Sequence, residues 1–377
     1  MVSHSFNSSA RPLLATRLNI RERDRLTFWS YMATHGELER SHRFGSATID
    51  LSVNPGEILA LLRVAVTSDI RSVEFGQSTP TAPGWGLSIG RDALEAIVRQ
   101  IPEARHFTLF PLSTRFQFNL LLGAVSKLTS LEIHSPLAYP SSYTTPYLTL
   151  PLLHTLTLFY VDNKMSALTF ICDVAAHLTA PALKTLSIIN CLNEVVAVQQ
   201  LISHFSVGLE TLVLLNCDSP RIDDASPLPN LPTLQTLEVD LSWAARFINE
   251  DAELVQNLPA LRRIVLQTDT RDVLAGLDDA FVDWSPLLSG VRDVGSQLHD
   301  VVCAYRAPEW GLRQSFVSAV RRRFEIPGPP LPPSVTFSED LRPPFPLQHG
   351  FADHRPRPAF HNTGGWASPA PDDDTLW

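Results

Sequence analysis

Through the middle of the chain, apolar residues recur as apolar-x-x-apolar-x-apolar. The series reads Ile70/Val73/Phe75, Ala104/Phe107/Leu109, Leu128/Leu131/Ile133, Leu153/Leu156/Leu158, Leu183/Leu186/Ile188, Leu209/Leu212/Leu214, Leu234/Leu237/Val239 and Leu261/Ile264/Leu266. First positions are 34, 24, 25, 30, 26, 25 and 27 residues apart, and a weaker copy, Ala47 to Val53, starts the series. The alternating second half of each unit has the period of a short strand that buries every other side chain. Between the strands, "PGEILALLRVA", "GRDALEAIVRQI", "MSALTFICDVAAHL" and "VVAVQQLISHF" carry helical spacing. Each strand–helix unit has an apolar side it cannot bury alone, so successive units must stack.

The stretch "PALKTLSIINC" returns 26 residues later as "GLETLVLLNC". Counting from Leu183 and Leu209, position nine is Cys191 and Cys217, a small side chain turning inward after the strand. Other copies place Pro136, Val161, Ser242 and Asp269 there, so the repeat is loose. The fold this predicts is α/β: an irregular leucine-rich-repeat solenoid, strands on the concave side and helices on the convex side. The repeats span 44–270, after an N-terminal segment or helical cap over 1–43. Beyond Leu266, "RDVLAGLDDAFVDWSPLLSGVRDVGSQLHDVVCAYR" and "GLRQSFVSAVRRRF" read as helices, predicting a helical C-terminal cap over 271–326. Twelve of the thirty prolines follow Ile326, and 327–377 reads as a disordered Pro-rich tail.

Charge changes the picture by exclusion. The net charge of −9 argues against nucleic-acid and anionic-membrane partners. Four cysteines make no disulfide framework, and no apolar run reaches the length of a membrane span. The N-terminus lacks the apolar core of a secretory signal, although its Ser- and Arg-rich, acid-poor start also suits a transit peptide. The expected location is a reducing compartment, cytoplasmic or nuclear.

The phrases "LTAPALKTLSI", "LPTLQTLEV" and "NLPALRRIVL" resemble the leucine-rich-repeat region of the F-box proteins of mushroom-forming fungi, over roughly residues 25 to 270. Phe28-Trp29 stands where that family closes its F-box, before a spacer into the first strand. The resemblance implies a substrate receptor for ubiquitin ligation, with a cullin-ligase adaptor as partner. The F-box opening itself is missing: too few residues precede Phe28, and "NPGEILALL" (54–62), which mimics it, reads as a repeat helix or a displaced remnant.

Candidate chemistry is sparse. Gly84, Gly86 and Gly90 are spaced GxGxxxG, not as a phosphate-cradling GxGxxG. His349, Asp353, His354 and His361 group metal-ligand types within the tail. Arg321-Arg322-Arg323 suits the cationic last turn of a helix, or a nuclear signal. "PPLP" at 329–332 suits an aromatic polyproline-reading groove. No cofactor, metal or catalytic residue is expected. An enzyme built on the glycine loop or the histidine group is the alternative from another class.

The strand face is more informative. Positions three, five and seven point away from the core. Position three is Ser72, His106, Ser130, Thr155, Thr185, Thr211, Thr236 and Arg263. Position seven, Phe110, His134, Phe159, Ile189 and Leu215, predicts an apolar stripe shown to water, or else a stripe covered by another part of the chain. The expected function is non-catalytic protein–protein interaction through that concave face, within a ligase or as a standalone scaffold.

Overall fold

A computed structural model describes residues 17–20, 44–65, 67–76, 91–110, 127–134, 147–159, 176–191, 195–215, 217, 229–240, 258–269, 300–306 and 334–338. In chain order the elements are β1 (Arg17–Ile20), β2 (Ser46–Asp50), α1 (Pro55–Val64), β3 (Ser72–Gly76), α2 (Arg91–Arg99), β4 (His106–Leu109), β5 (Ser130–His134), β6 (Leu148–Thr149), β7 (Thr155–Phe159), β8 (Leu178–Thr179), β9 (Thr185–Ile189), α3 (Val195–His204), β10 (Thr211–Leu215), β11 (Thr236–Asp240), β12 (Arg263–Asp269), β13 (Asp300–Arg306) and β14 (Ser334–Ser338). Twelve of these strands form one parallel sheet, in sequential order once β6 and β8 are set aside. Such an order arises when every crossover returns the chain to the neighbouring strand, one repeat at a time. This long parallel sheet with few helices is compatible with a leucine-rich-repeat solenoid.

Register follows the sequence repeat. Positions three align across the whole sheet, from Arg17 and Ser46 through Thr155, Thr185, Thr211 and Thr236 to Arg263 and Asp300. Positions one, four and six from Phe44 to Ile264 form one continuous buried core. The helices cover that face with their own apolar stripes: Ile58, Leu61 and Leu62 of α1; Leu94, Ile97 and Val98 of α2; Ala197, Val198, Leu201 and Ile202 of α3. Helix α1 starts cleanly because the Asn54 side chain accepts from the Gly56 N–H at 2.8 Å and Pro55 occupies the first turn. It joins adjacent strands β2 and β3, so "NPGEILALL" is a repeat helix here.

Five of the strands are entered through the same tight turn. In Ile101–Ala104, Leu150–Leu153, Ala180–Leu183, Leu231–Leu234 and Leu258–Leu261, the fourth residue's N–H donates to the first residue's carbonyl at 3.1–3.3 Å. Proline takes the second place in all five, where its fixed φ suits the turn. The residue after the turn then offers one carbonyl to two N–H groups of the next repeat. Arg71 O accepts from Arg105 and His106, His154 O from Lys184 and Thr185, and Lys184 O from Glu210 and Thr211. The strand ends of β9 show why Asn precedes Cys: Asn190 has φ 61°, a left-handed turn that asparagine tolerates, and Cys191 then faces inward, buried. Cys217 is also buried, its Sγ donating to Ile188 O at 3.4 Å in the preceding repeat.

Three expectations are corrected. Residues 300–306 form strand β13 rather than helix, with Val301 and Cys303 in register with Ile264 and Leu266. Residues 334–338, inside the span expected to be a disordered tail, form β14 beside it, and 17–20 form β1 at the opposite edge. The physical reason is the same in each case: Leu18/Ile20, Val301/Cys303 and Val335/Phe337 repeat the four-and-six spacing, which lets the sheet continue. Most of the helix expected over Met165–Leu178 lies outside the described residues, and its last residue, Leu178, is in strand β8, which pairs parallel with β6. The rest of the expected C-terminal cap and tail lies outside the described residues.

Candidate functional site

The outward face of the sheet is organised in rows that run across the strands. Adjacent strands lie ~4.8 Å apart, so equivalent positions stack side chain on side chain. Row three is half-exposed at Ser72, Ser130, Thr155, Thr185, Thr211 and Thr236, and exposed at His106 and Arg263. Row five is half-exposed at Glu74, Thr108, Glu132 and Thr157, then buried at Ser187, Val213 and Glu238. The accessible middle of the face is therefore a field of hydroxyls beside one carboxylate, Glu132. Towards the ends, charges are tied across strands. Arg17 pairs with Glu74, Thr48 donates to Glu74, Glu238 accepts from Gln267, and Arg263 lies 3.4 Å from Asp300.

Of the two expectations for row seven, an open stripe or a covered one, burial fits the covered one. Phe110, His134, Phe159 and Leu215 are buried, and Ile189 is half-buried. His134 is only 3% exposed. Its ring stacks 4.8 Å from Phe110 on one side and 4.9 Å from Phe159 on the other. The strand spacing matches the stacking distance, so rings on neighbouring strands shield one another's faces from water. The outer nitrogen, Nε2, lies 2.8 Å from Glu132 Oε1, joining the buried row to the half-exposed one.

A second surface lies where the strands begin. Position two, just before each strand, reads Arg71, Arg105, Thr129, His154, Lys184, Glu210, Gln235 and Arg262, mostly exposed. Glu103 sits between two cations of this rim, with Arg71 Nη1 at 3.0 Å and Lys127 Nζ at 3.4 Å from its carboxylate oxygens. The Lys127 hydrogen bond and charge, reinforced by Arg71, hold the Glu103 carboxyl below the usual carboxylate range. Lys184 pairs with Glu210 at 2.8 Å. Nothing in the apolar periodicity marks this row. Its signal is the recurrence of Arg, His or Lys two residues before position four in five of the eight repeats.

Several residues singled out by sequence, namely Gly84–Gly90, the His349–His361 group, Arg321–Arg323 and the "PPLP" segment, lie outside the described residues. Cys191 and Cys217 are buried and outside any disulfide. Among the described residues, no three His, Cys, Asp or Glu side chains group closely enough to hold a metal ion, and no helix is long and apolar enough to cross a membrane.

No protein-family model and no curated protein matches the chain. Among solved structures it is similar to the crystal structure of the TLR13–ssRNA13 complex, at 17% identity and a TM-score of 0.29. That similarity covers 63% of this chain and 33% of the other, so it spans about a third of that protein. At this level it carries no argument about ligand or activity.

Proposed function

We propose that this protein is a non-catalytic recognition module of leucine-rich-repeat type, which holds a protein partner on the outward face of its sheet. The observation behind this reading is the in-register band of half-exposed hydroxyls, Ser130, Thr155, Thr157, Thr185, Thr211 and Thr236, with Glu132 at one end. Such a band offers donors and acceptors on a rigid base, and its side chains lose little entropy when a partner orders them. Phe110, His134, Phe159 and Leu215 act as the packed support of that face, and Ile189 is the member of the stripe a partner touches. The resemblance to mushroom F-box receptors supports a finer role, the selection of substrates for ubiquitin ligation. A standalone scaffold is the rival.

Two measurements separate these. Proximity labelling in cells should give a set of partners that is lost on Thr155→Arg/Thr185→Arg/Thr211→Arg, with the thermal midpoint kept. An unchanged set would remove the face from recognition. Co-expression with the host's cullin-ligase adaptor, followed by size-exclusion chromatography, tests the ligase role. Co-elution supports the receptor reading, and separate elution of folded protein leaves the scaffold.

A further inference from the structure

Among the described residues, the rim at which the strands begin has the opposite charge to the chain as a whole. The chain carries a net −9. Along this edge the described cations are Arg71, Arg105, Lys127, Lys184 and Arg262, against the acids Asp69, Glu103 and Glu210. Arg71, Arg105, Lys184 and Arg262 stand in register because each position-two backbone is bonded to the one before it. From the strand of Arg71 to that of Lys184 there are four strand intervals, about 19 Å, the length of roughly six residues of extended peptide. Exposed apolar residues lie before three of the neighbouring strands. Pro151 and Pro181 are exposed, Leu152 is 46% exposed, and Val207, just before the Gly208 that enters the next strand, is 86% exposed.

We propose that this rim docks an extended acidic protein segment in which carboxylates alternate with apolar residues. The cation row supplies charge complementarity, and Pro151, Leu152, Pro181 and Val207 supply apolar contact. Arg105 and Arg262 have no carboxylate partner among the described residues, so they are available to a ligand without breaking an existing pair. Glu103 and Glu210 punctuate the row and set the register of the incoming segment by repelling acids at those points. The same carboxylates disfavour a nucleic acid, whose phosphates follow one another without gaps, and the chain's overall charge adds to that. This surface is distinct from the outward face, so it stands or falls separately.

Fluorescence anisotropy on the full chain tests the proposal. The probe is a labelled peptide of about twelve residues alternating Glu or Asp with Leu or Val. Controls are the same peptide with Lys at each acid and a single-stranded oligonucleotide of equal charge. The acidic peptide should bind, and added salt should weaken it. Arg105→Glu/Lys184→Glu should weaken it about tenfold or more, while Arg105→Lys/Lys184→Arg retains it. If the double reversal does not fold, as judged by circular dichroism, Arg262→Glu replaces it, and the salt dependence of the unaltered chain needs no variant. Absence of acidic-peptide binding, binding indifferent to salt and charge reversal, or tighter binding of the oligonucleotide would each overturn the proposal.

Discussion

Leu212 stands at position four of β10, wholly buried, in register with Leu186 of β9 and Leu237 of β11. Its neighbour Thr211 points the other way and is half-exposed. The two therefore test the strand's facing with a one-residue shift. Leu212→Ala should destabilise the protein by about 2–5 kcal/mol, because the core cannot close the gap fully. Thr211→Ala should stay within about 0.5 kcal/mol. Chemical denaturation of both variants measures the difference, and equal losses would place the repeat in the wrong register. This alternation was legible in the sequence, since the apolar positions of each repeat are the buried ones. The fate of row seven was legible only as a choice between an open stripe and a covered one. Apolar residues at an outward position read as a surface, whereas Phe110, His134 and Phe159 on adjacent strands hide one another. Only the pairing of strands reveals that shielding, and the pairing of distant segments is absent from local periodicity.

At the scale of elements, the informative cases are the strands that follow the last obvious repeat. The run "HDVVCAYR" has apolar residues close enough together to suit a helix as well as a strand, and Cys303 takes the place of a large aliphatic residue at position six. A short run of this kind is ambiguous by periodicity alone. What decides is the neighbour, β12, which offers an edge of backbone donors and acceptors that a further parallel strand satisfies. Removal of residues 300–377 should leave β12 as an unprotected edge. The shortened chain is expected to aggregate in sedimentation analysis and to melt earlier than the full chain. Equal solubility and equal melting would mean that β13 and β14 contribute nothing to the sheet's integrity.

At the scale of the molecule, stability is a sum over neighbours rather than a property of one centre. The feature that ties neighbours is the carbonyl at the entry of each strand, shared by two N–H groups of the next repeat, as at Arg71, Arg105, Thr129, His154, Lys184, Glu210 and Gln235. These bonds run along the stack, across the strands, so a tension applied through the chain termini loads them one repeat at a time. Held between two beads in an optical trap, the protein should peel from its ends in discrete steps. Each step releases one repeat, about 90 Å of slack for the 26 residues from Leu183 to Leu209 at ~3.4 Å per residue. A single large rip would show a unit that fails all at once. A staircase would make the molecule a graded spring, able to give up a repeat under load and take it back when the load falls.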